Sequence, residues 1–241
     1  MHKSLDFGIY PKRPPPLTQE QLVAREQFMM LWQREIPKYA TLDRFNQGFT
    51  AKLPIPLGCK TLEIGAGLGE HLRYENLDAQ DYYCLEYREE FCQEIRKIYP
   101  AEKVFRGDIE QKQPWPDATF DRLSAIHILE HLRNLPAALI EMKRLLKPNG
   151  VLDVVLPCEG TLAYSLARKI SAERLFRAQF KMDYIPIVRN EHVSQYHELR
   201  MWILKYFTVE KSVMFPFRIP VAAINLVEGL RLRPHPKDER E

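Results

Sequence analysis

The chain has 241 residues, of which 45% are hydrophobic, and it carries a formal net charge of +3. This length suits one α/β domain with additional segments, because domains commonly span about 100–200 residues. The small net charge does not by itself favour a nucleic-acid partner.

The cysteines and the N-terminus give an expectation of location. Cys59, Cys84, Cys92 and Cys158 form no Cys-x-x-Cys pair and no metal-finger spacing, which is typical of thiols in a reducing compartment. The first residues lack the apolar core of a signal peptide, and no stretch reaches the roughly 18 apolar residues that a membrane span needs. We therefore predict a cytoplasmic protein without a transmembrane segment.

The N-terminal part begins with a proline-rich stretch, residues 1–17, which we expect to be irregular. Thr18, followed three residues later by Gln21, is typical of a capping box and predicts a helix to about Glu35, ended by Pro37. The apolar residues of this helix recur near helical spacing. They can dock on a sheet, which we favour, or cover a cofactor cleft.

The stretch 61–69, TLEIGAGLG, runs from an apolar strand into a Gly-x-Gly-x-Gly turn. Glycines allow the backbone to approach a bound cofactor closely. A dinucleotide site requires G-x-G-x-x-G, and Gly65, Gly67 and Gly69 are one residue short of that spacing. Glu63 would repel a pyrophosphate and would suit an ammonium or sulfonium group. The turn thus favours a positively charged nucleoside cofactor.

Two further predicted strands end in carboxylates. Glu86 follows Gly65 by 86 − 65 = 21 residues, close to the roughly 20 that are typical of the acid that binds a ribose diol. Asp108 ends the next strand and can accept a hydrogen bond from an adenine amino group. The alternative for both residues is an exposed acid at the end of a strand.

From residue 60 onwards strands alternate with helices, which predicts a parallel sheet with helices on both faces. After Pro157 this rhythm breaks, and residues 158–198 form an insertion that we expect to build a lid or a substrate wall. The expected elements are strands 60–65, 82–87, 103–108, 120–126 and 151–157, helices from about 67, 88–99, 135–147 and 199–206, and closing strands 207–215 and 222–230.

These ordered motifs, with residues 113–121, 129–132 and 145–150, resemble the class I S-adenosylmethionine-dependent methyltransferases, in particular the quinone-biosynthesis type. The resemblance covers about residues 58–157. It implies an α/β fold, a doubly wound, Rossmann-like, mostly parallel seven-stranded sheet with an antiparallel edge. This chain adds an N-terminal helical segment and the lid insertion.

The resemblance also implies S-adenosylmethionine as the cofactor and a division of the chain into two parts. Residues 1–57 are expected to form a helical extension or cap, and residues 58–241 the methyltransferase domain with its insertion. Several positions match those that hold the methionine, ribose and adenine parts of the cofactor in the resembling family. They are Glu63, Gly65, Ala66, Gly67, Glu86, Tyr87, Asp108, Ile109 and Ala125.

Methyl transfer to an alcohol-like oxygen requires removal of a proton, and histidine is the usual base near neutral pH. We predict His127, His131 and His192 as catalytic candidates, with His197 as a further histidine. His127, Glu130 and His131 would share one face if a helix begins there. In some quinone-biosynthesis O-methyltransferases the matching positions carry Glu, Glu and His as a metal triad. His127 departs from that pattern, so we predict no metal; capping and packing are the alternative roles for Glu130 and His131.

The region 157–220 is similar, more loosely, to methyltransferases found with bacterial surface-polysaccharide genes. The similarity rests on residues 159–160, 180–185, 191–192 and 215–217, followed by a proline. Together these features predict O-methylation of a small-molecule or glycan intermediate, with His192 placed on a lid.

Three alternatives stay open in the sequence. Nucleic-acid methyltransferases that resemble this superfamily carry an Asp/Asn-Pro-Pro-aromatic turn where residues 124–127 read Ser-Ala-Ile-His, so nucleic-acid or protein methylation is less favoured. A non-catalytic S-adenosylmethionine-binding partner subunit would keep the same fold. Residues 215–217 and 221–232 mix aromatic, apolar and basic side chains, which fits contact with a membrane surface or a sheet-edge strand. The oligomeric state is not predicted.

Overall fold

The computed structural model describes residues 9–35 and 40–236. Within these residues the strands form one sheet. Along most strands the side chains either alternate between buried and partly exposed or are nearly all buried, as is typical of strands covered by helices. The strands are β1 (Cys59–Ile64), β2 (Gln80–Glu86), β3 (Val104–Arg106), β4 (Phe120–Ile126), β5 (Leu146–Pro157), β6 (Phe207–Phe215) and β7 (Val227–Pro234).

The sheet of the described residues has seven strands in the order β3-β2-β1-β4-β5-β7-β6. Strands β1 to β5 pair in parallel, and β7 runs antiparallel to both β5 and β6. The predicted α/β fold with an antiparallel edge is therefore confirmed. The last strand begins at Val227 rather than at residue 222, because Ala222–Ile224 form a short 3-10 turn.

Helices cover the sheet and one of its ends. The predicted capping box of the first helix is present: the Thr18 backbone amide donates to Gln21 Oε1 at 2.9 Å, and the Gln21 amide donates to Thr18 Oγ1 at 3.2 Å. The predicted stop at Pro37 and residues 1–8 lie outside the described residues. The helices are α1 (Gln19–Glu35), α2 (Ala40–Ala51), α3 (Glu89–Arg96), α4 (Leu135–Leu145), α5 (Leu162–Arg168), α6 (Arg174–Phe180), α7 (Ile185–Glu191) and α8 (Tyr196–Tyr206).

The helix expected directly after the glycine turn is absent from the described structure, which has only a 3-10 turn, Glu70–Arg73, at that place. A buried polar cluster holds the following segment against the sheet. Glu75 lies 2.9 Å from Arg122 on β4 and 2.8 Å from His71, and Gln80 donates to it at 2.7 Å. These long-range contacts prevail over the local helical pattern.

Helix α1 docks on the insertion and not on the sheet, so our favoured prediction for it is wrong. Phe28 packs edge-to-face against Phe176 of α6 at 5.1 Å and against Tyr184 at 5.6 Å between ring centroids. Arg25 also forms an ion pair of 3.2 Å with Glu191 on α7. Helix α2, which the sequence analysis did not predict, is the N-terminal element that packs on β5 and β7.

The strand order reverses at β1 and β4, where a parallel sheet opens a crevice at the carboxyl ends of its strands. Four chain segments leave the sheet at this edge. Gly65 follows β1, Glu86 ends β2, His127 follows β4 and Glu159 follows β5. The fold thus gathers the glycine turn, the ribose candidate and a histidine at one edge.

Candidate active site

The glycine turn requires glycine at its first position. Gly65 has φ +71°, and a Cβ there would lie 2.7 Å from the Ile128 side chain. Gly67 also has a positive φ, +57°, a region that other residues rarely adopt. The turn therefore exposes peptide groups where side chains would otherwise stand.

Glu86 faces this turn from the end of β2. Its Oε2 accepts a hydrogen bond from the Gly67 amide and its Oε1 one from the Arg88 amide, both at 2.9 Å. Burial raises the pKa of Glu86, and these backbone donors lower it, with a net shift above the usual value. Each carboxylate oxygen retains a free lone pair, which suits the two hydroxyls of a ribose.

Glu63 is buried beneath the turn, where the Tyr82 hydroxyl donates to its Oε2 at 3.0 Å. Burial raises the pKa of Glu63 to about 7, against the opposing effects of His71 and Tyr82. A nearby cation would favour its ionised form. This environment fits a ligand that carries an ammonium or sulfonium group.

The remaining cofactor candidates differ in accessibility. Asp108 is half-buried and accepts from the Glu110 amide at 3.0 Å, and the Tyr87 side chain is exposed. Ile109 and Ala66 are both buried, each in a different apolar cluster. Ala125 is wholly buried in the main core, so it offers no surface to a ligand, and we correct its assignment.

The residues present fit S-adenosylmethionine on these observations. Gly65 allows a tight turn that a Cβ would block by collision with Ile128, Glu86 presents a carboxylate held by the Gly67 amide, and Glu63 supplies a buried acid for a positive group. Gly65, Gly67, Glu63 and Glu86 are the residues that would hold the cofactor.

His127, Glu130 and His131 do not share a helical face, because residues 129–131 form a 3-10 turn and α4 begins only at Leu135. His127 has φ +51° and directs its Nδ1 to Glu130 Oε1 at 3.3 Å. Among the described residues, the His127 Nε2 and Glu130 Oε2 atoms are buried without a hydrogen-bond partner. His127 and Glu130 thus form a pair in which each retains one unused polar atom.

His131 turns instead towards His192, 61 residues further along the chain. The two imidazoles pack edge-to-face with 4.7 Å between ring centroids. The His131 Nδ1–H donates to the Glu191 carbonyl at 3.0 Å. His192 in turn bonds through Nδ1 to the Glu159 carboxylate. The fold therefore brings two of the three predicted histidines together and pairs one with an acid.

The surroundings separate the pKa values of this histidine pair. Burial lowers the pKa of His192, but the hydrogen bond and charge of Glu159, with Glu130 and Glu191, give a net rise. Burial and the neighbouring His192 lower the pKa of His131, against the opposing effects of Glu130 and Glu191. Pairs of titratable groups with pKa values driven apart are typical of acid–base sites.

Glu130 lies at the centre of the cluster. Burial raises its pKa, but the hydrogen bond from His127 and the charges of all three histidines bring it down to about 2. Its carbonyl accepts from the Val193 amide at 2.9 Å, which ties the loop after β4 to the segment that carries His192. Glu130 therefore holds the segment that carries His192 in place and keeps a negative charge next to the histidines.

Glu159 is the functional candidate that sequence reasoning missed, because it entered only as part of a resemblance. It follows β5 directly, and Gly160 beside it has φ +85°, a conformation that turns the chain back towards the sheet edge. Arg168 on α5 lies 3.3 Å from its other oxygen. A carboxylate followed by glycine just after a strand was the available signal for Glu159. No sequence signal predicted its pairing with His192, 33 residues away.

No group of three or more His, Cys, Asp or Glu side chains in the described part of the chain has the arrangement needed to hold a metal ion. The cysteines Cys59, Cys84, Cys92 and Cys158 are all buried and free. Within residues 9–35 and 40–236, no helix combines the length and apolar character of a membrane span.

Comparisons with known proteins agree with the fold described above. Residues 62–154 match the model of a family described as a methyltransferase domain. No curated protein sequence matches the chain.

Solved structures share the fold at low sequence identity. An S-adenosylmethionine-dependent methyltransferase from Aquifex aeolicus is 18% identical, with 81% of this chain and 96% of that chain covered and a TM-score of 0.55. One from Thermotoga maritima is 19% identical, with 86% and 98% covered and a TM-score of 0.54. A Haloferax volcanii methyltransferase, solved with its activator, is 15% identical, with 90% and 100% covered and a TM-score of 0.56.

The fold is a Rossmann-like α/β fold, and the glycine turn with Glu86 forms a site of the kind that binds a nucleoside cofactor. Residues 62–154 match a methyltransferase domain, and the solved structures that share the fold include S-adenosylmethionine-dependent methyltransferases. S-adenosylmethionine, the cofactor that the sequence resemblance implies, agrees with the family match.

Replacement of Glu86 by alanine is expected to weaken S-adenosylmethionine binding by about 1–3 kcal/mol, or roughly 5–150-fold, since a buried charged hydrogen-bond partner is lost. Calorimetric titration of the variant with the cofactor measures this change. Glu94→Ala is the matched control, because Glu94 is an exposed acid on α3 paired only with Lys97. Unchanged affinity in Glu86→Ala would remove the ribose assignment.

Proposed function

We propose that this protein methylates a hydroxyl oxygen of a small-molecule or glycan intermediate, with His192 as the base. The carrying observation is the Glu159–His192 pair beside His131, at the sheet edge that also holds the glycine turn. When bound, S-adenosylmethionine supplies an electrophilic methyl group on a sulfonium.

The pair leaves one ring nitrogen of His192 for the acceptor. Because Glu159 accepts from the Nδ1–H, the neutral imidazole has an unprotonated Nε2. Its side chain keeps 21% of its surface exposed, so a hydroxyl can reach it. The proton of that hydroxyl would pass to Nε2, and Glu159 would stabilise the imidazolium, as in other acid–histidine pairs.

His131 is the second histidine at this site. Its Nδ1–H is held by the Glu191 carbonyl, so its Nε2 is also free to accept a hydrogen bond. The lowered pKa of His131 keeps it neutral near pH 7. We assign it to orientation of the acceptor hydroxyl. His127 is paired with Glu130, and we assign it to support of the loop after β4.

The N-terminal helix and the insertion cover this region together. Arg25 on α1 pairs with Glu191 on α7, and Met29 on α1 accepts a contact from the Arg88 guanidinium next to Glu86. This connection supports a role for α1 as a cap that excludes water from the transfer, which lowers the cost of bringing the reacting groups together.

The test uses the purified full-length protein with methyl-labelled S-adenosylmethionine and fractionated bacterial extract. We expect label in a small-molecule or glycan fraction as a methyl ether, identified by mass spectrometry. His197→Ala should transfer label normally, because His197 is exposed and outside the cluster. Label confined to protein or nucleic acid, or cofactor binding without any transfer, would contradict the proposal and favour the alternatives.

A further inference from the structure

The insertion presents an apolar face to solvent. Helix α5 and the turn that follows it carry Leu162, Leu166 and Ile170 at four-residue spacing, with 78%, 60% and 67% of their surfaces exposed. Residues four apart lie on the same side of a helix. Soluble surfaces seldom place three large aliphatic side chains in one such row.

A second exposed apolar segment lies next to this helix. It is the connection between β6 and β7, which includes Phe217, with 60% of its surface exposed. Tyr164 on the inner side of α5 and Ala222 in the connection both pack on the buried cluster around Cys158. The two segments are therefore neighbours. We call their combined exposed side chains the outer apolar patch: Leu162, Leu166, Ile170, Phe217, Ile219 and Val221.

The chain segments that carry the outer apolar patch hold only basic charges. Residues 160–172 and 211–227 contain no Asp or Glu. They carry exposed basic side chains at Lys169, Lys211 and Arg218. The nearest acids along the chain are Glu159, Glu173 and Glu228, which are buried and paired with other side chains, and Glu210, which is exposed and paired with Arg233.

We propose that the outer apolar patch docks this protein on an anionic lipid surface. Aliphatic and aromatic side chains would enter the boundary between headgroups and acyl chains, and the surrounding lysines and arginine would meet the lipid phosphates. The charge complementarity commits the proposal to this partner, because a second copy of the chain would bring like charges together.

The patch lies on the opposite side of α5 from the candidate site. Arg168 on the inner side of the helix holds Glu159, the partner of His192. Docking would therefore place α5 between the lipid headgroups and the candidate site. The proposal does not depend on the chemistry of methyl transfer, and vesicle binding can be measured without it.

The experiment is flotation of the full-length protein with phosphatidylcholine vesicles, with and without phosphatidylglycerol. We expect about tenfold more protein to float with the anionic vesicles, and salt to reduce the difference. Leu166→Glu/Ile170→Glu should lower the bound fraction about tenfold, and Lys169→Glu/Arg218→Glu should remove the preference for anionic lipid.

Leu57→Glu is the matched control, because Leu57 is an exposed aliphatic residue before β1, at the opposite edge of the sheet. It should bind vesicles like the unmodified protein. Calorimetry with S-adenosylmethionine checks that each variant is folded. Equal binding to both vesicle types, no binding at all, retained binding in Leu166→Glu/Ile170→Glu, or a concentration-dependent dimer abolished by that variant would overturn the proposal.

Discussion

Replacement of His192 by alanine is expected to lower kcat by about 10²–10⁴-fold, the contribution typical of a positioned general base. Cofactor affinity should stay within about twofold, since the residues that would hold the cofactor, Gly65 and Glu86, are contributed by other segments. Initial rates with the acceptor found by label transfer, together with calorimetry, measure both quantities. His197→Ala should retain the full rate. A His192→Ala enzyme with unchanged kcat would exclude His192 as the base.

Glu159→Gln separates a positioning role for Glu159 from a merely structural one. The base must be unprotonated, so the rate rises with pH as His192 loses its proton. Burial lowers the pKa of His192, and Glu159 contributes most to the opposing, larger rise, with smaller contributions from Glu130 and Glu191. Removal of the Glu159 charge should therefore move the acidic limb of the pH–rate profile to lower pH.

The plateau rate of Glu159→Gln should also fall, because an amide can donate to Nδ1 and hold the wrong tautomer. Profiles of kcat against pH for the unmodified enzyme and Glu159→Gln measure both effects. A reduced rate with an unmoved acidic limb would show that Glu159 serves only to hold the lid segment.

The second large expected effect is on stability. Asp153→Ala should lower the free energy of unfolding by about 3–5 kcal/mol, the cost typical of breaking a buried ion pair. Asp153 is fully buried on β5, where Arg122 Nε donates to it at 2.8 Å and Arg231 donates through Nε at 2.7 Å and Nη2 at 2.8 Å. The substitution leaves two buried guanidinium groups without this carboxylate.

Arg122 cannot relieve the loss by giving up its proton. Arginine keeps its proton in proteins, and without Asp153 the neighbouring Glu75, 2.9 Å away, still favours the charged form of Arg122. Urea denaturation followed by circular dichroism measures the change. Lys97→Ala is the control, because its pair with Glu94 is exposed and should change stability by less than about 1 kcal/mol. A loss that small in Asp153→Ala would refute the assignment of this network to the stability of the sheet.

Local patterns in the chain were informative wherever neighbouring residues carried the signal. The capping box at Thr18 predicted the start of α1, and the strand predicted over residues 120–126 has the same bounds as β4. The spacing of Gly65 and Glu86 predicted a ribose-binding role for Glu86, which stays a prediction; the structure places Glu86 beside the glycine turn, where it accepts a hydrogen bond from the Gly67 amide. These features depend on interactions across one turn or one β–loop–β unit.

Other features of the fold could not be predicted from neighbouring residues in the sequence. Segment 70–79 has a helical pattern, yet the ion pair of Glu75 with Arg122 on another strand keeps it irregular. Helix α1 has an apolar face that any apolar surface could cover, and only the folded insertion determines which one does.

The sequence by itself determined the fold class and the glycine turn, because backbone conformation and strand-end spacing are properties of short segments, and its resemblance to a family implied the cofactor. The tertiary structure alone decided that His131 meets His192, that Glu159 holds the latter, and that His127 is left with Glu130. These groups come together only when the loops after β4 and β5 and the lid pack at one edge. Contacts between residues that are dozens of positions apart depend on that packing, and no periodic pattern in the sequence predicts them.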